Sequence, residues 1–176
     1  MPSIRLRPLR SDDLAALSAG LADDGGETPF AFFGFRGINT YEKRFAENGM
    51  ITETSGSLAI EAEQSVFAGT VGWFAVQHGP SPSARALNIG IELIPQQRGR
   101  GYGTAAQIAI ADYLFSTTLI ERLEAGTDVD NLAEQRALEK AGFLREGVLR
   151  HAQFRAGEWH DLVQFSRLRG DPSPAS

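Results

Sequence analysis

Cysteine is absent from the 176-residue sequence, and histidine occurs only three times. A chain without thiols has no disulfide, no thiolate metal site and no cysteine nucleophile. The histidines lack carboxylates at metal-ligand spacing, so the sequence predicts no metal site. No stretch approaches the roughly 18 apolar residues of a membrane-spanning helix, and the first residues lack the apolar core of a signal peptide. We therefore expect a cytoplasmic protein that does not enter a membrane.

An excess of basic residues is also missing. The formal net charge is -5 at pH 7, and the sequence pI is about 5.2. This balance argues against nucleic-acid binding, so we expect a small molecule or a peptide as partner. The length suits one domain, which we place at residues 1–170. The remaining segment 171–176, Asp-Pro-Ser-Pro-Ala-Ser, has the composition of a disordered tail.

Alternating apolar residues and breaker residues predict the order strand, two helices, three strands, helix, strand, helix and two strands. Ser11 is expected to cap the first helix, and Asn39 or Thr40 the second. Three central strands form an antiparallel meander, and the last two form a hairpin that turns at Ala156-Gly157. This order predicts an α+β fold with helices packed on a mixed sheet. The predicted later elements are strands 57–62, 66–77, 86–94, 122–127, 144–154 and 159–168, and helices 101–115 and 131–140.

The most informative motif is Arg-Gly-Arg-Gly-Tyr-Gly-Thr at residues 98–104, between a predicted strand and a predicted helix. Glycines without Cβ let backbone N–H groups converge, and the helix start adds unbonded donors and the positive end of its dipole. The motif therefore predicts a phosphate-binding loop. It differs from a Rossmann fingerprint, which follows the first strand of a parallel unit, and it lacks the Gly-Lys-Ser/Thr ending of a P-loop.

Read as Arg98-x-x-Gly101-x-Gly103, this loop resembles the acyl-CoA pyrophosphate loop of the GNAT N-acetyltransferase superfamily. Residues 131–143, Asn-Leu-Ala-Glu-Gln-Arg-Ala-Leu-Glu-Lys-Ala-Gly-Phe, resemble its second cofactor motif. Arg150 and the segment 157–161, Gly-Glu-Trp-His-Asp, are similar to the branch of ribosomal-protein alanine N-acetyltransferases. The resemblance implies a mixed, mostly antiparallel sheet of about seven strands with helices on both faces.

The resemblance also implies acetyl-CoA or CoA as the acyl-donor co-substrate. The main chain of Leu93 and Ile94 is expected to pair with the pantetheine amides as an added strand would, and Asn131 to lie beside the pantetheine. Asn131 with Glu134 also fits a capping box at a helix start, and the two roles are compatible. Each arginine of the loop has a solvated side chain as its alternative. The residues expected at the pyrophosphate are Arg98, Gly99, Arg100, Gly101, Tyr102, Gly103 and Thr104.

Catalysis needs a group that takes a proton from the attacking amine. Asn88 and Glu92 share one face of a predicted strand, and relatives often carry Glu at the position of Asn88. Glu92 is therefore the candidate base and Asn88 the candidate to order a water, while a solvated or ion-paired carboxylate is the alternative for Glu92. Many relatives have Ser at position 134, sometimes proposed to protonate the CoA thiolate. Here Glu134 is expected to cap its helix instead.

These residues together predict direct transfer of an acyl group from acetyl-CoA to a primary amine of a small molecule or protein N-terminus. The alternative is a non-catalytic module that binds CoA or acyl-CoA as a sensor. Either is expected to be a monomer or homodimer. The phenylalanines at positions 30, 32, 33 and 35 line the acceptor pocket, pack as core or form a dimer contact. His78 has no evident partner in the sequence, and His151 and His160 are expected to lie on the surface or to pack. Trp73 and Trp159 are expected to pack in the core or on the hairpin.

Overall fold

The computed structural model describes residues 2–22, 30, 38–172 and 174. Phe32, Phe33 and Phe35 of the predicted aromatic cluster, and residues 173, 175 and 176 of the predicted tail, lie outside this part. Three short 3-10 turns, Glu63–Ser65, Pro82–Ala84 and Pro95–Gln97, join strands or lead toward helices. The strands and α-helices are β1 Ile4–Pro8, α1 Ser11–Ala22, α2 Ile38–Asn48, β2 Ser55–Ala62, β3 Phe67–Gln77, β4 Arg85–Leu93, α3 Tyr102–Thr117, β5 Arg122–Asp128, α4 Leu132–Lys140, β6 Leu144–Arg155 and β7 Glu158–Leu168.

The strands form one seven-stranded sheet in the order β1-β2-β3-β4-β5-β7-β6. Neighbouring strands are antiparallel except β4 and β5, which run parallel. The predicted α+β fold with a mixed, mostly antiparallel sheet is therefore confirmed. The parallel pair lies in the interior of the sheet, and its first strand, β4, comes shortly before the glycine-rich motif in the chain.

Side-chain alternation on β2 shows that helices cover both faces of the sheet. Ile60 is buried in the larger hydrophobic core, which includes Ile110 of α3. Ala59, its neighbour, is buried in a second core that includes the partly buried Tyr41 of α2. Because successive side chains of a strand point to opposite faces, α3 lies on one face and α2 on the other. We call these the α3 face and the α2 face.

The burial of α3 fixes the position of the glycine-rich motif. As predicted, this helix is apolar on most of its surface, and Ala106, Ile110 and Leu114 are at most 1 % exposed. Full burial of each large aliphatic side chain stabilises the fold by about 1.5–3 kcal/mol. The helix is therefore held firmly on the sheet, and the motif at its start is held at the end of β4.

Local details differ from the prediction at the helix starts. The N–H of Arg10 donates to Oδ2 of Asp13 at 2.7 Å. The side chain in the first turn that caps this end of α1 is therefore that of Asp13, and the residue in the capping position is Arg10. The prediction of Ser11 as the capping residue is therefore wrong by one position. Helix α2 begins at Ile38, which places Asn39 and Thr40 inside its first turn. At the other end of the chain, the Leu168 N–H donates to Oδ2 of Asp171 at 2.8 Å.

Candidate functional site

The parallel strands β4 and β5 separate along their length. Among the described residues they are paired only at Leu87 with Leu123 and at Asn88 with Glu124. Beyond this point β4 continues to Leu93 paired with β3, and β5 continues to Asp128 paired with β7. Residues 89–93 and 125–128 therefore border a gap in the sheet, which we call the wedge. Its narrow end is at Asn88 and its open end is at Leu93.

The backbone of β4 presents hydrogen-bonding groups to the wedge. The Ile94 N–H donates to the carbonyl of Ala68 on β3 at 3.1 Å. Backbone groups alternate along a strand, so the N–H and C=O groups of Ile91 and Leu93 point the other way, into the wedge. Leu93 thus has the orientation that the sequence predicted, whereas the N–H of Ile94 is already used within the sheet. The prediction for Ile94 is wrong as far as its N–H is concerned.

The glycine-rich motif lies at the open end of the wedge. Gly99 and Gly101 have φ angles of 72° and 80°, a left-handed conformation that glycine adopts without strain. Gly101 is the N-cap of α3, and the first N–H groups of a helix have no acceptor within it. A Cβ placed on Gly103 would be 3.8 Å from the Leu93 side chain, so the loop packs directly against the end of β4. The first N–H groups of α3 and the wedge are therefore next to each other.

The two arginines of the motif behave differently. The Arg98 side chain folds back, and its Nε donates to the carbonyl of Leu93 at 3.0 Å. This bond fixes the end of β4 relative to the loop. Arg100 is exposed to solvent. Phosphate contact by either guanidinium stays a prediction.

Asn131 ties the start of α4 to the wedge. Its Oδ1 accepts from the Glu134 N–H at 3.3 Å, which confirms the predicted cap, and its Nδ2 donates to Thr127 Oγ1 at 3.0 Å. The Asn131 N–H, however, donates to the Asp128 carbonyl at 3.0 Å. The Glu134 carboxylate instead accepts from Nε2 of Gln107 on α3 at 2.5 Å. The reciprocal half of the predicted capping box is therefore wrong.

Glu134 is a half-buried carboxyl between two helices. Burial raises its pKa to about 7, and the hydrogen bond from Gln107 only partly opposes this rise. Gln107 itself is 1 % exposed, and its Oε1 has no partner among the described residues. A carboxyl that exchanges its proton near neutral pH therefore lies behind the glycine-rich loop. The contact joins two separate helices, so no local sequence pattern indicated it.

The predicted catalytic residues lie on the α2 face beside the wedge. Leu87 and Ile89 of β4 are buried in the larger core, so the alternating residues Asn88 and Glu92 point to the opposite face. Both side chains are half-buried. Their positions agree with the prediction that they share one face, while their catalytic roles stay a prediction.

A polar cluster adjoins Asn88 on this face, and the sequence did not reveal it. Glu124, opposite Asn88, accepts hydrogen bonds at 2.6 Å from Nε2 of His78 and from Nε of Arg122. The expectation that His78 lacks a partner is therefore wrong. Arg122 also binds Glu146, which lowers the pKa of that carboxyl to about 2. Only the pairing of β3, β4 and β5 brings these residues together, so no local motif could indicate them.

The end of β5 carries a second buried polar cluster. Arg155 Nη2 donates to Oδ2 of Asp128 at 2.5 Å and contacts Nδ1 of His160 at 3.1 Å. Its Nη1 donates to the carbonyl of Phe30 at 3.2 Å. His160 is thus part of this polar cluster. As predicted, Trp73 is buried in the core and Trp159, although 59 % exposed, packs edge-on against Phe154 at the hairpin end.

Two classes of site do not occur in the part of the chain that the structure describes. Within it, no group of three or more histidine, aspartate or glutamate side chains is arranged to hold a metal ion. None of the helices described here has the length and apolar character needed to cross a membrane.

Curated relatives match about half of the chain. The chain is 38 % identical over 103 residues to YjcK of Bacillus subtilis (strain 168), named as a probable N-acetyltransferase; the match covers 58 % of this chain and 55 % of that protein. It is 32 % identical over 85 residues to YdaF of the same organism, whose name provisionally describes a ribosomal N-acetyltransferase, with 48 % and 46 % covered. The chain thus spans about half the length of the curated relatives it matches.

Solved structures share the whole architecture. The spermidine N-acetyltransferase of Vibrio cholerae in complex with CoA and spermine superposes with a TM-score of 0.80 at 18 % identity, with 96 % of each chain covered. Mycobacterium smegmatis RimJ in complex with CoA-disulfide superposes with a TM-score of 0.76 at 25 % identity, covering 94 % of this chain and 81 % of that one. The model of the Acetyltransferase (GNAT) domain family matches residues 3–144, well over half of the chain. The protein therefore belongs to the GNAT acetyltransferase family.

Proposed function

We propose that the protein is an N-acetyltransferase that moves an acetyl group from acetyl-CoA directly to a primary amine. One observation carries this proposal: the wedge between β4 and β5 opens onto a loop of converging N–H donors. A ligand with an anionic end and an amide-bearing arm fits that arrangement. Acetyl-CoA has both features, and solved relatives with this fold bind CoA.

The residues present fit the donor molecule. The loop offers the first-turn N–H groups of α3 and the positive end of the helix dipole to a pyrophosphate. An amide-bearing arm can add to β4 as an extra strand, using the backbone groups of Ile91 and the N–H of Leu93 that face the wedge, since the Leu93 carbonyl already accepts from Arg98. Asn131, fixed by Thr127, would stand beside this arm. When bound, acetyl-CoA supplies the activated thioester carbonyl.

In this reaction the protein mainly positions the amine and the thioester and accepts a proton. The amine nitrogen attacks the thioester carbon, the new C–N bond forms, and the C–S bond breaks. Glu92 accepts the proton that the amine loses, directly or through a water ordered by Asn88, and solvent protonates the departing thiolate. Holding two reactants in register accounts for as much as about 7–11 kcal/mol of a barrier, so no covalent enzyme intermediate is needed.

The acceptor reaches the wedge from the α2 face, which carries Glu92 and Asn88. Relatives support two acceptor classes. One solved neighbour is a spermidine acetyltransferase, and YdaF is named for ribosomal acetylation. We propose a small-molecule amine or a protein N-terminus as acceptor.

A thiol-release assay with acetyl-CoA and a panel of amines tests this function. The panel contains spermidine, aminoglycosides, free amino acids and peptides that begin with alanine or serine. We expect release of free CoA that depends on one class of amine, together with an acetylated product of the corresponding mass. CoA binding is measured in parallel by calorimetry.

Two results would contradict the proposal. Tight CoA binding without turnover on any amine would favour a CoA-binding sensor or interaction module, which the replacement of an acid by Asn88 also favours. Failure to bind CoA at all would remove both functions.

A further inference from the structure

Arg155 is a charged side chain placed almost entirely inside the protein. It is 4 % exposed, although it belongs to a hairpin strand whose other two arginines, Arg145 and Arg150, are exposed. Burying a guanidinium is costly unless charge and hydrogen bonds compensate for the lost water. Asp128, which is 3 % exposed, supplies the compensating charge at 2.5 Å. The Arg155 hydrogen bond lowers the pKa of Asp128 although burial acts to raise it, so this carboxylate stays ionised.

The remaining donors of Arg155 reach three further groups. Nη1 donates to Gln153 Oε1 at 2.9 Å and to the Phe30 carbonyl at 3.2 Å. Nη2 donates to His160 Nδ1 at 3.1 Å. The other ring nitrogen of His160, Nε2, lies 3.2 Å from the Arg155 carbonyl, so both ring nitrogens contact Arg155.

Phe30 is attached to this cluster in two ways. Its carbonyl accepts the hydrogen bond from Arg155, and its ring lies 5.8 Å from the centre of the guanidinium, within cation–π range. Phe30 belongs to the connection between α1 and α2, 125 residues away in the chain. Among the residues that the structure describes, Arg155 thus links Phe30 to the sheet by a hydrogen bond and a ring contact.

The place where Phe30 is held is the acceptor side of the wedge. Leu123 and Ala125 of β5 are buried in the larger core on the α3 face, so Glu124 and Asp128 point to the α2 face. Glu92 points to the same face from β4. Asp128 and Glu92 therefore stand on opposite borders of the wedge, and Arg155 brings Phe30 to the Asp128 border.

We propose that Arg155 is a positioning residue that holds Phe30 as one wall of the acceptor site. This inference rests on the proposed function, because the wall matters only where an amine approaches the wedge. Arg155 touches neither the donor molecule nor the reacting atoms. It acts through Phe30, and its effect falls on the binding of the acceptor.

A lysine at this position cannot replace the arginine. Lysine keeps the positive charge beside Asp128 but has a single nitrogen, whereas Arg155 uses two nitrogens that point in different directions. The R155K variant therefore keeps a positive charge beside Asp128 but loses the hydrogen bond to the Phe30 carbonyl. R150K is the matched control, since Arg150 lies on the same strand and is exposed.

The first experiment does not depend on catalysis. Chymotrypsin cleavage after Phe30 is timed by mass spectrometry for the wild type, R155K and R150K, and thermal unfolding is recorded for each. We expect R155K to be cleaved there at least about fivefold faster, because loss of the link favours local opening, while R150K matches the wild type. Unchanged cleavage in a folded R155K variant would overturn the proposal, whether or not the protein proves to be an acetyltransferase.

The second experiment uses whichever of spermidine or an alanine-initiated peptide is acetylated. We expect R155K to raise the KM for that amine about tenfold, with kcat within about threefold and the Kd for CoA within about twofold. F30A should reproduce the rise in KM without removing any charge, which keeps the test open if R155K folds poorly. Equal losses of CoA binding and amine binding would show a merely structural role and overturn the proposal.

Discussion

Gln107 of α3 donates a hydrogen bond to Glu134 of α4 at 2.5 Å, and this bond joins the two helices that flank the donor side of the wedge. Gln107 is one turn beyond the glycine-rich loop, and Glu134 is in the first turn of the helix that Asn131 caps. The start of α4, the body of α3 and the end of β5 are thereby held in one arrangement. The carboxyl involved exchanges its proton close to physiological pH.

The raised pKa of Glu134 predicts a pH-dependent stability. Its unfolded value is near 4.5 and its folded value is about 7, so between these pH values the folded state binds the proton more tightly. The free energy of unfolding should therefore fall as the pH rises from about 4.5 to 7, by on the order of 2–3 kcal/mol. In E134Q this fall should be reduced, since an amide does not titrate.

Urea unfolding at half-unit pH steps measures this effect. E139Q is the control, because Glu139 is on the same helix and exposed. If E134Q and the wild type give parallel curves over this range, Glu134 does not carry the pH dependence.

Replacing Gly101 should weaken CoA binding. An alanine there must adopt a φ of 80°, which costs about 1 kcal/mol, or the loop must change shape and misdirect its N–H groups. We expect G101A to raise the Kd for CoA about tenfold in calorimetry and to lower stability by about 1 kcal/mol. G147A serves as control, since a Cβ at Gly147 meets nothing within 4 Å and this glycine is not among those with positive φ. Equal CoA affinities in the two variants would argue against the loop as the pyrophosphate site.

Removing the acid of Glu92 should slow the chemical step. General-base catalysis contributes about 10²- to 10⁴-fold, so E92Q should lower kcat at least about 100-fold while the Kd for CoA stays unchanged. N88D offers the complementary test, because it places an acid on the same strand face. An E92Q variant with wild-type rate and pH profile would show that another group or solvent accepts the proton.

The buried ion pair between Arg7 and Asp13, on the α2 face, should contribute strongly to the free energy of unfolding. Asp13 accepts hydrogen bonds from Arg7 at 2.6 and 2.8 Å, and both residues are at most 9 % exposed. Burial acts to raise the pKa of Asp13, but the hydrogen bonds from Arg7 and Arg10 outweigh it and the pKa is lowered. D13N leaves Arg7 paired with Glu61, which accepts from its Nε at 2.5 Å, but it removes the second carboxylate and should cost about 1.5–3 kcal/mol at pH 7.

The neighbouring Asp12 provides the control for this substitution. It is exposed, so D12N should change the free energy of unfolding by less than about 0.5 kcal/mol. Because the folded pKa of Asp13 is depressed, its contribution is present above the unfolded value of 3.8 and is lost as the pH falls through the folded value. The difference between wild type and D13N should accordingly shrink in acid. A difference that is constant with pH would contradict the assignment.

Local patterns were sufficient to predict the elements and part of the site. Alternation predicted the strands, the apolar run from Ala105 to Ala111 predicted a buried helix, and the glycines predicted an anion-binding loop. Asn131 was predicted as a helix cap and is one. Each of these properties depends on residues within a few positions of one another, so short-range physics decides them.

Other contacts depend on residues that are distant in the chain. His78 meets Glu124, Glu134 meets Gln107, and Arg155 meets Phe30 only after the sheet and helices have assembled. The prediction that Glu134 caps its own helix was wrong because a tertiary partner competed with the local one. Polar side chains in a folded interior take whichever partner compensates burial best, and sequence spacing does not reveal that partner.

The sequence by itself determined that this protein has an α+β fold with a glycine-rich loop between a strand and a helix. Only the tertiary structure decided that the neighbouring strands part at Asn88 and Glu124, which backbone groups face the resulting wedge, and what stands at its borders. The physical reason is that glycine conformation and side-chain periodicity act locally. The separation of two parallel strands, by contrast, is set by everything packed on both faces of the sheet.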